Sequence, residues 1–347
     1  MRTRIRLLVT GVGVVMLACT SEQSPTQPSS SAGAALVAVK TYSAVDLGTL
    51  GGESNARGIN PAGQVVGSSF TIPGQSGSAH AFLWENGVMT DLGTLGGERS
   101  EAIAINPASQ VVGRSQSPTG EHAFLWEDGR MTDLGTLPGG TFSEAFGINP
   151  VGEVVGGSTQ AGLSLIHAFL WQKGVMRDLG TLGGLTSEAL DIDPAGRVVG
   201  WSTTAKGEVH PFLWEKGAMT DLGTLGGISL AFGINPRGQV VGQSDTNEGE
   251  PHAFLWEKGV LTDLGTLGGR FSGAVDINPA GQTVGDSFTT EDGEVFHAAL
   301  WEKGTVIDLG TLGGRFSGAA GINPAGQIVG SSETPAGVFH AALWTPK

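Results

Sequence analysis

The 347 residues of this chain encode an all-β, seven-bladed β-propeller built from four-stranded antiparallel blades. Three observations carry that expectation. A tryptophan returns at Trp84, Trp126, Trp171, Trp214, Trp256, Trp301 and Trp344, in steps of 42, 45, 43, 42, 45 and 43 residues. Every copy contains two tight-turn signals between short β-prone runs. One repeat unit is divided between the two ends of the chain, as a ring requires and an open stack does not.

Fixed spacings mark the strands. From the Asn or Asp before proline to the glycine of Val-Gly is always 7 residues, from His to Trp 4, and from Trp to the next Asp 7. A hydrogen-bonded ladder tolerates no change of length. From Val-Gly to His the chain runs 9 to 13 residues, and from Asp to Asn-Pro 14 to 16, so these stretches hold the loops. In the second repeat strand A is Ala102–Ile105 and stops at Asn106-Pro107-Ala108-Ser109. Elsewhere that turn reads Asn-Pro-Ala-Gly, with the Asn, Pro and Gly of a type I turn. Strand B is Gln110–Gly113, strand C His122–Trp126 and strand D Arg130–Leu134. Glu85-Asn86-Gly87 and its equivalents form the hairpin between C and D.

The ends close the array. Thr41–Leu50 carries Asp-Leu-Gly-Thr-Leu with no His-Trp block before it, so it is a lone strand D. The last repeat stops just after Trp344 with strands A, B and C. The N-terminal strand therefore completes the C-terminal blade. A β-helix is the alternative fold, and the tight hairpin turns disfavour it.

Composition agrees with a turn-rich β protein: Gly 58, Pro 16, 39% apolar and only 15% charged residues. A net charge of −14 disfavours nucleic acid as a partner. Arg2, Arg4 and Arg6 precede the apolar stretch Leu7–Ala18, which is too short to span a bilayer and fits a signal peptide over residues 1–18. Met16-Leu17-Ala18-Cys19 resembles a bacterial lipobox, with lipid on Cys19. Cys19 is the sole cysteine and can form no disulfide within the chain. Residues 19–40, rich in Ser, Pro, Gln and Ala, are then a lipidated flexible tether, and 41–347 the propeller. The expected location is the outer membrane or cell surface, with membrane contact only through that lipid. Ordinary cleavage with loss of Cys19, giving a secreted or periplasmic protein, is the alternative.

His-Ala-Phe stands at 80–82, 122–124, 167–169 and 252–254, ahead of Gly-x-Met-x-Asp-Leu-Gly-Thr-Leu-Gly-Gly. This string resembles the HAF-repeat family of extracellular bacterial proteins over roughly residues 42–344. His210-Pro211-Phe212 departs mildly, and His297 and His340 are followed by two alanines. The resemblance implies export, and no established activity or site.

His80, His122, His167, His210, His252, His297 and His340 occupy one repeat position. Blades hold them too far apart to share one ion, so no metal site and no cofactor is expected. The expectation is a structural network inside each blade, joining these histidines to the Ser of Ser-x-Ala and to Asp46, Asp91, Asp133, Asp178, Asp221, Asp263 and Asp308. The repeated tryptophans are expected between blades as core. Residues that break the repeat are the functional candidates. Trp201 falls at the expected start of a B–C loop, Arg57 is the one base on strand A, and Asp191 and Asp276 replace the small residues of that strand's channel position.

In a meander the A–B and C–D turns share one face, and the variable B–C and D–A loops share the other, where binding is usually sited. The B–C loops there should be acidic, with Glu121, Glu208, Asp245, Glu248, Glu250, Asp286, Glu291, Asp292, Glu294 and Glu333 against Arg114 and Lys206. The expected function is a non-catalytic, monomeric binding scaffold for a protein, glycan or cation on that face. A hydrolase or lyase with its site at the channel mouth, and a purely structural surface module, are the alternatives.

Overall fold

Two turn chemistries shape every blade of the computed structural model, which describes residues 41–72, 78–161 and 163–347. The signal peptide, Cys19 and the tether expected for residues 1–40 lie outside the described residues. At the A–B turn the Gly63 N–H donates to the Asn60 carbonyl at 3.0 Å, and the Asn60 side-chain oxygen accepts from Ala62 N at 3.0 Å. Asn-Pro therefore starts a type I turn, as read. At the C–D turn Asn86 and Gly87 both adopt left-handed backbone (φ 51° and 84°), the conformation of a two-residue type I′ hairpin. Lys173, Lys216, Lys258 and Lys303 hold the same left-handed conformation in their blades, so hairpin geometry overrides residue preference there.

The strands follow in chain order. β1 is Tyr42–Asp46. Blade 1 comprises β2 Ser54–Ile59, β3 Val65–Phe70, β4 Ala79–Glu85 and β5 Val88–Asp91. Blade 2 comprises β6 Ser100–Ile105, β7 Val111–Ser117, β8 Gly120–Glu127 and β9 Arg130–Asp133; blade 3 has β10 Ser143–Ile148, β11 Val154–Gln160, β12 Leu163–Gln172 and β13 Val175–Asp178. Blade 4 comprises β14 Gly183–Ile192, β15 Val198–Thr204, β16 Val209–Glu215 and β17 Ala218–Asp221; blade 5 has β18 Ser229–Ile234, β19 Val240–Asp245, β20 Pro251–Glu257 and β21 Val260–Asp263. Blade 6 comprises β22 Ser272–Ile277, β23 Thr283–Phe288, β24 Phe296–Glu302 and β25 Thr305–Asp308. Blade 7 has β26 Ser317–Ile322, β27 Ile328–Glu333 and β28 Phe339–Pro346, and its fourth strand is β1, in the order β1-β28-β27-β26. Tyr42 pairs with Pro346 and Asp46 with Ala342, so the N-terminal strand closes the last blade.

The A strands form the inner ring, each packed on the next, with β26 against β2. Each A strand is bulged one residue after its fully or almost fully buried alanine, between Ala102 and Ala104 in blade 2 for instance. The apolar core lies between blades. Val65 and Phe82 of blade 1 pack with Val329 and Ala341 of blade 7, and Trp84 lies against that cluster. Where His-Ala-Phe becomes His-Ala-Ala, the missing ring is made good by the tryptophan. Trp301 and Trp344 are 4% and 0% exposed, while the other repeat tryptophans are half-buried.

Histidine and aspartate meet within every blade, but serine does not join them. His80 Nδ1 lies 2.8 Å from Asp91 Oδ2, and Asp91 Oδ1 accepts from Gly93 N at 2.7 Å. The same pairing recurs in all seven blades, and His340 with Asp46 bridges the closure at 2.7 Å. For His297 the hydrogen bond to Asp308 raises the imidazole above its ordinary range, and a bond to the Arg315 backbone adds to it.

Serine instead crosses the seam. Ser100 Oγ of blade 2 accepts from Ala81 N of blade 1 at 2.8 Å and donates to Gly93 O at 2.6 Å. The expected His–Ser–Asp network is thus two devices, one within a blade and one between blades. Spacing along the chain could not separate them, because all three residues recur with one period. The Ala N–H to Ser Oγ bond recurs at six of the seven seams. At the exception, Pro211 has no N–H to give, and Ser229 Oγ turns to the Gln243 carbonyl at 3.4 Å.

At the closing seam Ser54 Oγ accepts from the buried Ala341 N at 2.8 Å and donates to Gly48 O at 2.7 Å. Ser54→Ala leaves that N–H unsatisfied and should cost about 1–3 kcal/mol, whereas Ser229→Ala, with no such donor, should cost well under half as much. Denaturant unfolding of both variants checks this; equal losses would contradict it.

Candidate functional wall of the channel

The second residue of Ser-x-Ala and the third of Val-Gly-x-Ser are cross-strand partners on strands A and B. They are Asn55 and Ser68, Glu101 and Arg114, Glu144 and Gly157, Glu188 and Trp201, Leu230 and Gln243, Gly273 and Asp286, and Gly318 and Ser331. These pairs form a girdle around the axis towards the variable-loop face, and no two blades carry the same pair.

Arg57 of blade 1 and the girdle residues of blades 2 to 4 form one line. Arg57 Nε donates to Glu101 Oε1 at 2.9 Å, and Arg114 Nη2 to Glu101 Oε2 at 2.8 Å. Arg114 Nη1 reaches Glu144 Oε2 of blade 3 at 3.2 Å, with Glu121 Oε1 3.4 Å from its Nε. The Glu188 carboxyl is influenced by that of Glu144 beside it, and the Trp201 indole donates to Glu188 Oε2 at 3.1 Å. Gly157 makes room for this: a Cβ there would lie 2.8 Å from Glu188 Oε1.

Burial sets the protonation of the line. It acts to raise Glu101, but Arg57 and Arg114 outweigh it and hold that carboxyl below its usual range. Glu144 is pushed up to about 7, first by burial and then by Glu121 and Glu101, against the pull of Arg114. Glu188 is pushed up to about 8 by burial and by the Glu144 carboxyl. Each carboxyl of this pair is held above its ordinary range, and the two titrate together.

Asp191 and Asp276 lie further along strand A and clamp blades together. Asp191 Oδ2 accepts from Ile234 N of blade 5 at 2.8 Å, and its Oδ1 from Ile192 N at 2.7 Å. Asp276 makes the same pair of bonds to Ile322 N of blade 7 and Ile277 N. Burial and repulsion from Asp276 push Asp191 up to about 7; burial also raises Asp276.

Of the sequence candidates, the structure joins Arg57 and Trp201 to one line and keeps Asp191 and Asp276 at a second level. Trp201 is not at the start of a loop: it lies within β15, half-buried, because strand B runs longer than its β-branched core. Arg114 and Asp286 likewise belong to strands β7 and β23 on the wall, not to the loop face. That face also gains bases from the D–A loops, where Arg99 approaches Glu121 at 3.9 Å and Arg270 approaches Glu250 at 3.6 Å. It is less acidic than the B–C loops alone suggest. Sequence reasoning missed Glu101, Glu144 and Glu188. Their signal was three successive glutamates at a repeat position that is otherwise uncharged.

No group of three or more His, Cys, Asp or Glu among the described residues could hold a metal ion. No protein-family model matches the chain, and no curated protein matches it in sequence. Solved structures do resemble it. A puromycin hydrolase S511A mutant complexed with PGG aligns with a TM-score of 0.54 at 16% identity, over 84% of this chain and 52% of that one. A Mycobacterium tuberculosis puromycin-hydrolyzing peptidase aligns with a TM-score of 0.52 at 13% identity, over 76% of this chain and 48% of that one. TolB from Acinetobacter baumannii aligns with a TM-score of 0.49 at 11% identity, over 85% of this chain and 63% of that one. The chain thus spans less than two thirds of these neighbours' length, and at such identities the likeness is one of fold.

Raised carboxyls bind their protons more tightly folded than unfolded. The stability they confer is complete below the unfolded value near 4.5 and is lost as pH rises through about 7 to 8 for Glu144 and Glu188. Glu188→Gln should remove on the order of 3 kcal/mol of the fall in stability between pH 5 and 9. Unfolding midpoints across that range test this; an unchanged slope would contradict it.

Proposed function

We propose that the protein is a non-catalytic binding scaffold, a HAF-repeat propeller that is exported and anchored by lipid on Cys19. It takes a polar ligand, from a protein, a glycan or a free cation, at the mouth of the channel on the variable-loop face. One observation carries the reading. Polar residues common to the repeats are consumed by architecture: His with Asp inside blades, Ser and Asn across seams. The polar residues that differ between blades gather on the inner wall, where Arg57, Glu101, Arg114, Glu144, Glu188 and Trp201 form one continuous line. A surface module with no ligand has no use for that asymmetry, and charged groups taken from water to make it cost stability.

The alternative of a hydrolase or lyase is favoured by one feature, the neighbouring carboxyls of Glu144 and Glu188, both held above their ordinary range. Both are nearly sealed from solvent, at 3% and 2% exposed, which suits a wall better than a catalytic acid and base.

A glycan array and a cation screen on the wild type, Arg57→Ala and Trp201→Ala test the proposal. The expected outcome is a ligand whose affinity falls at least about tenfold in both variants, the scale of one lost charged or stacking contact. Identical binding profiles for all three proteins would refute the assignment of the wall.

A further inference from the structure

At the steps from blade 2 to 3, 3 to 4, 5 to 6 and 6 to 7, the strand B residue of the girdle faces the strand A residue of the next blade. Arg114 meets Glu144, and the space at Gly157 is filled by Glu188. At Gly273 the Oε1 of Gln243 and the ring of Phe271 occupy the position, 3.3 and 3.5 Å from where a Cβ would sit. The step from blade 6 to blade 7 differs. Asp286 faces Gly318, and the sole atom within 4 Å of a Cβ built there is the Asp286 Cβ itself, at 4.0 Å.

Every registered neighbour of Asp286 is small. β22 presents Gly273, β24 presents Ala298 and β26 presents Gly318, so no titratable side chain faces it from those strands. Among the described residues the Asp286 carboxyl has neither a hydrogen-bond donor nor an ion-pair partner, although burial alone pushes it up to about 7. The contrast with its counterparts is sharp. Arg114 at the same repeat position touches three carboxylates, and Trp201 donates to a fourth. Asp191 and Asp276 each accept two backbone N–H groups. Asp286 keeps partial contact with water, so its carboxyl is open to a cationic donor that forms a charge-assisted hydrogen bond there.

We propose that the niche between Asp286 and Gly318 is a binding subsite for a protonated amine, such as the ammonium group of an amino sugar or of a lysine-like side chain. Asp286 gives the charge, and the missing side chain at Gly318 leaves open space beside it. A metal ion is a poorer occupant, because one carboxylate with glycine and alanine beside it offers too few oxygen ligands. This deepens the binding reading above and rests on it.

The test is a calorimetric titration of the protein with n-butylammonium, with 1-butanol as the neutral control, at pH 5.5 and pH 8.5. Saturable binding of the amine is expected, at least tenfold tighter at pH 8.5 than at pH 5.5, with no binding of the alcohol. Asp286→Asn should lose it; this change removes the charge and keeps the shape, so folding is retained. Gly318→Ala, whose methyl makes only an ordinary contact with Asp286, should weaken binding several-fold without changing its pH dependence. Equal binding by wild type and Asp286→Asn, equal binding of amine and alcohol, or no saturable binding would each overturn the proposal. If the amine result fails while Arg57→Ala and Trp201→Ala still lose a ligand found on the array, the subsite falls and the wall stands. If those variants bind unchanged as well, both fall.

Discussion

Ring closure is the constraint on which the rest depends. β28 needs a partner for its outer edge, and β2 needs a neighbour for its inter-blade face. β1, from the other end of the chain, meets the first need, and β27 and β28 meet the second. β1 pairs with β28 along its whole length, the Ala341 N–H finds Ser54 Oγ, and His340 finds Asp46. The closing seam is then chemically the same as the others. Asparagine adds a second, interrupted circuit: Asn60 Nδ2 donates to Asn106 O and Asn106 Nδ2 to Asn149 O, Asn149 Nδ2 turns to Glu153 of its own blade, and Asn235, Asn278 and Asn323 resume the sense until Asn323 returns to Asn60 O at 3.3 Å. At blade 4 the residue is Asp193, which has no amide to donate. Arg197, held by Asp193, reaches the Pro236 carbonyl in its place. Seam bonds of this kind are modest singly, and a ring requires all of them to form together.

Repetition then sorts the polar residues by role. A group that recurs in every blade answers a need that every blade has, such as an orphan N–H or a left-handed turn. The Asp of Asp-Leu-Gly is an instance. Its Oδ2 holds the histidine and its Oδ1 caps the turn at a glycine with φ between 69° and 80°. Groups that differ between blades answer no such need. Their concentration on the inner wall, with carboxyls held above their ordinary range at Glu144, Glu188 and Asp286, is an expenditure of stability that folding does not explain.

Much of the fold was legible because period, turn chemistry and the divided repeat are local or simple properties of the sequence. Asn60-Pro61-Ala62-Gly63 and Glu85-Asn86-Gly87 fix the hairpins by their own backbone preferences. Thr41–Leu50 announces the closure by what it lacks. Strand lengths were read short, since Arg114 to Ser117 continue β7 without β-branched residues. The wall was legible only in part. Arg57, Asp191 and Asp276 broke the pattern visibly, whereas Glu101, Glu144 and Glu188 stand inside a block whose flanking Ser and Ala recur in every blade. Their meaning depends on residues about 43 positions away, across a seam, and no spacing within one repeat reveals that contact. The serine hydroxyls were assigned to the wrong blade for the same reason.

Hydrogen exchange at single-residue resolution tests closure most directly. If β1 is an integral strand of blade 7, the amides of Val45 and Leu47 exchange as slowly as those of Leu343 and Trp344, and all open in one cooperative transition with denaturant. Rapid exchange throughout residues 42–47, while 339–344 stay protected, would show an open ring and contradict the account.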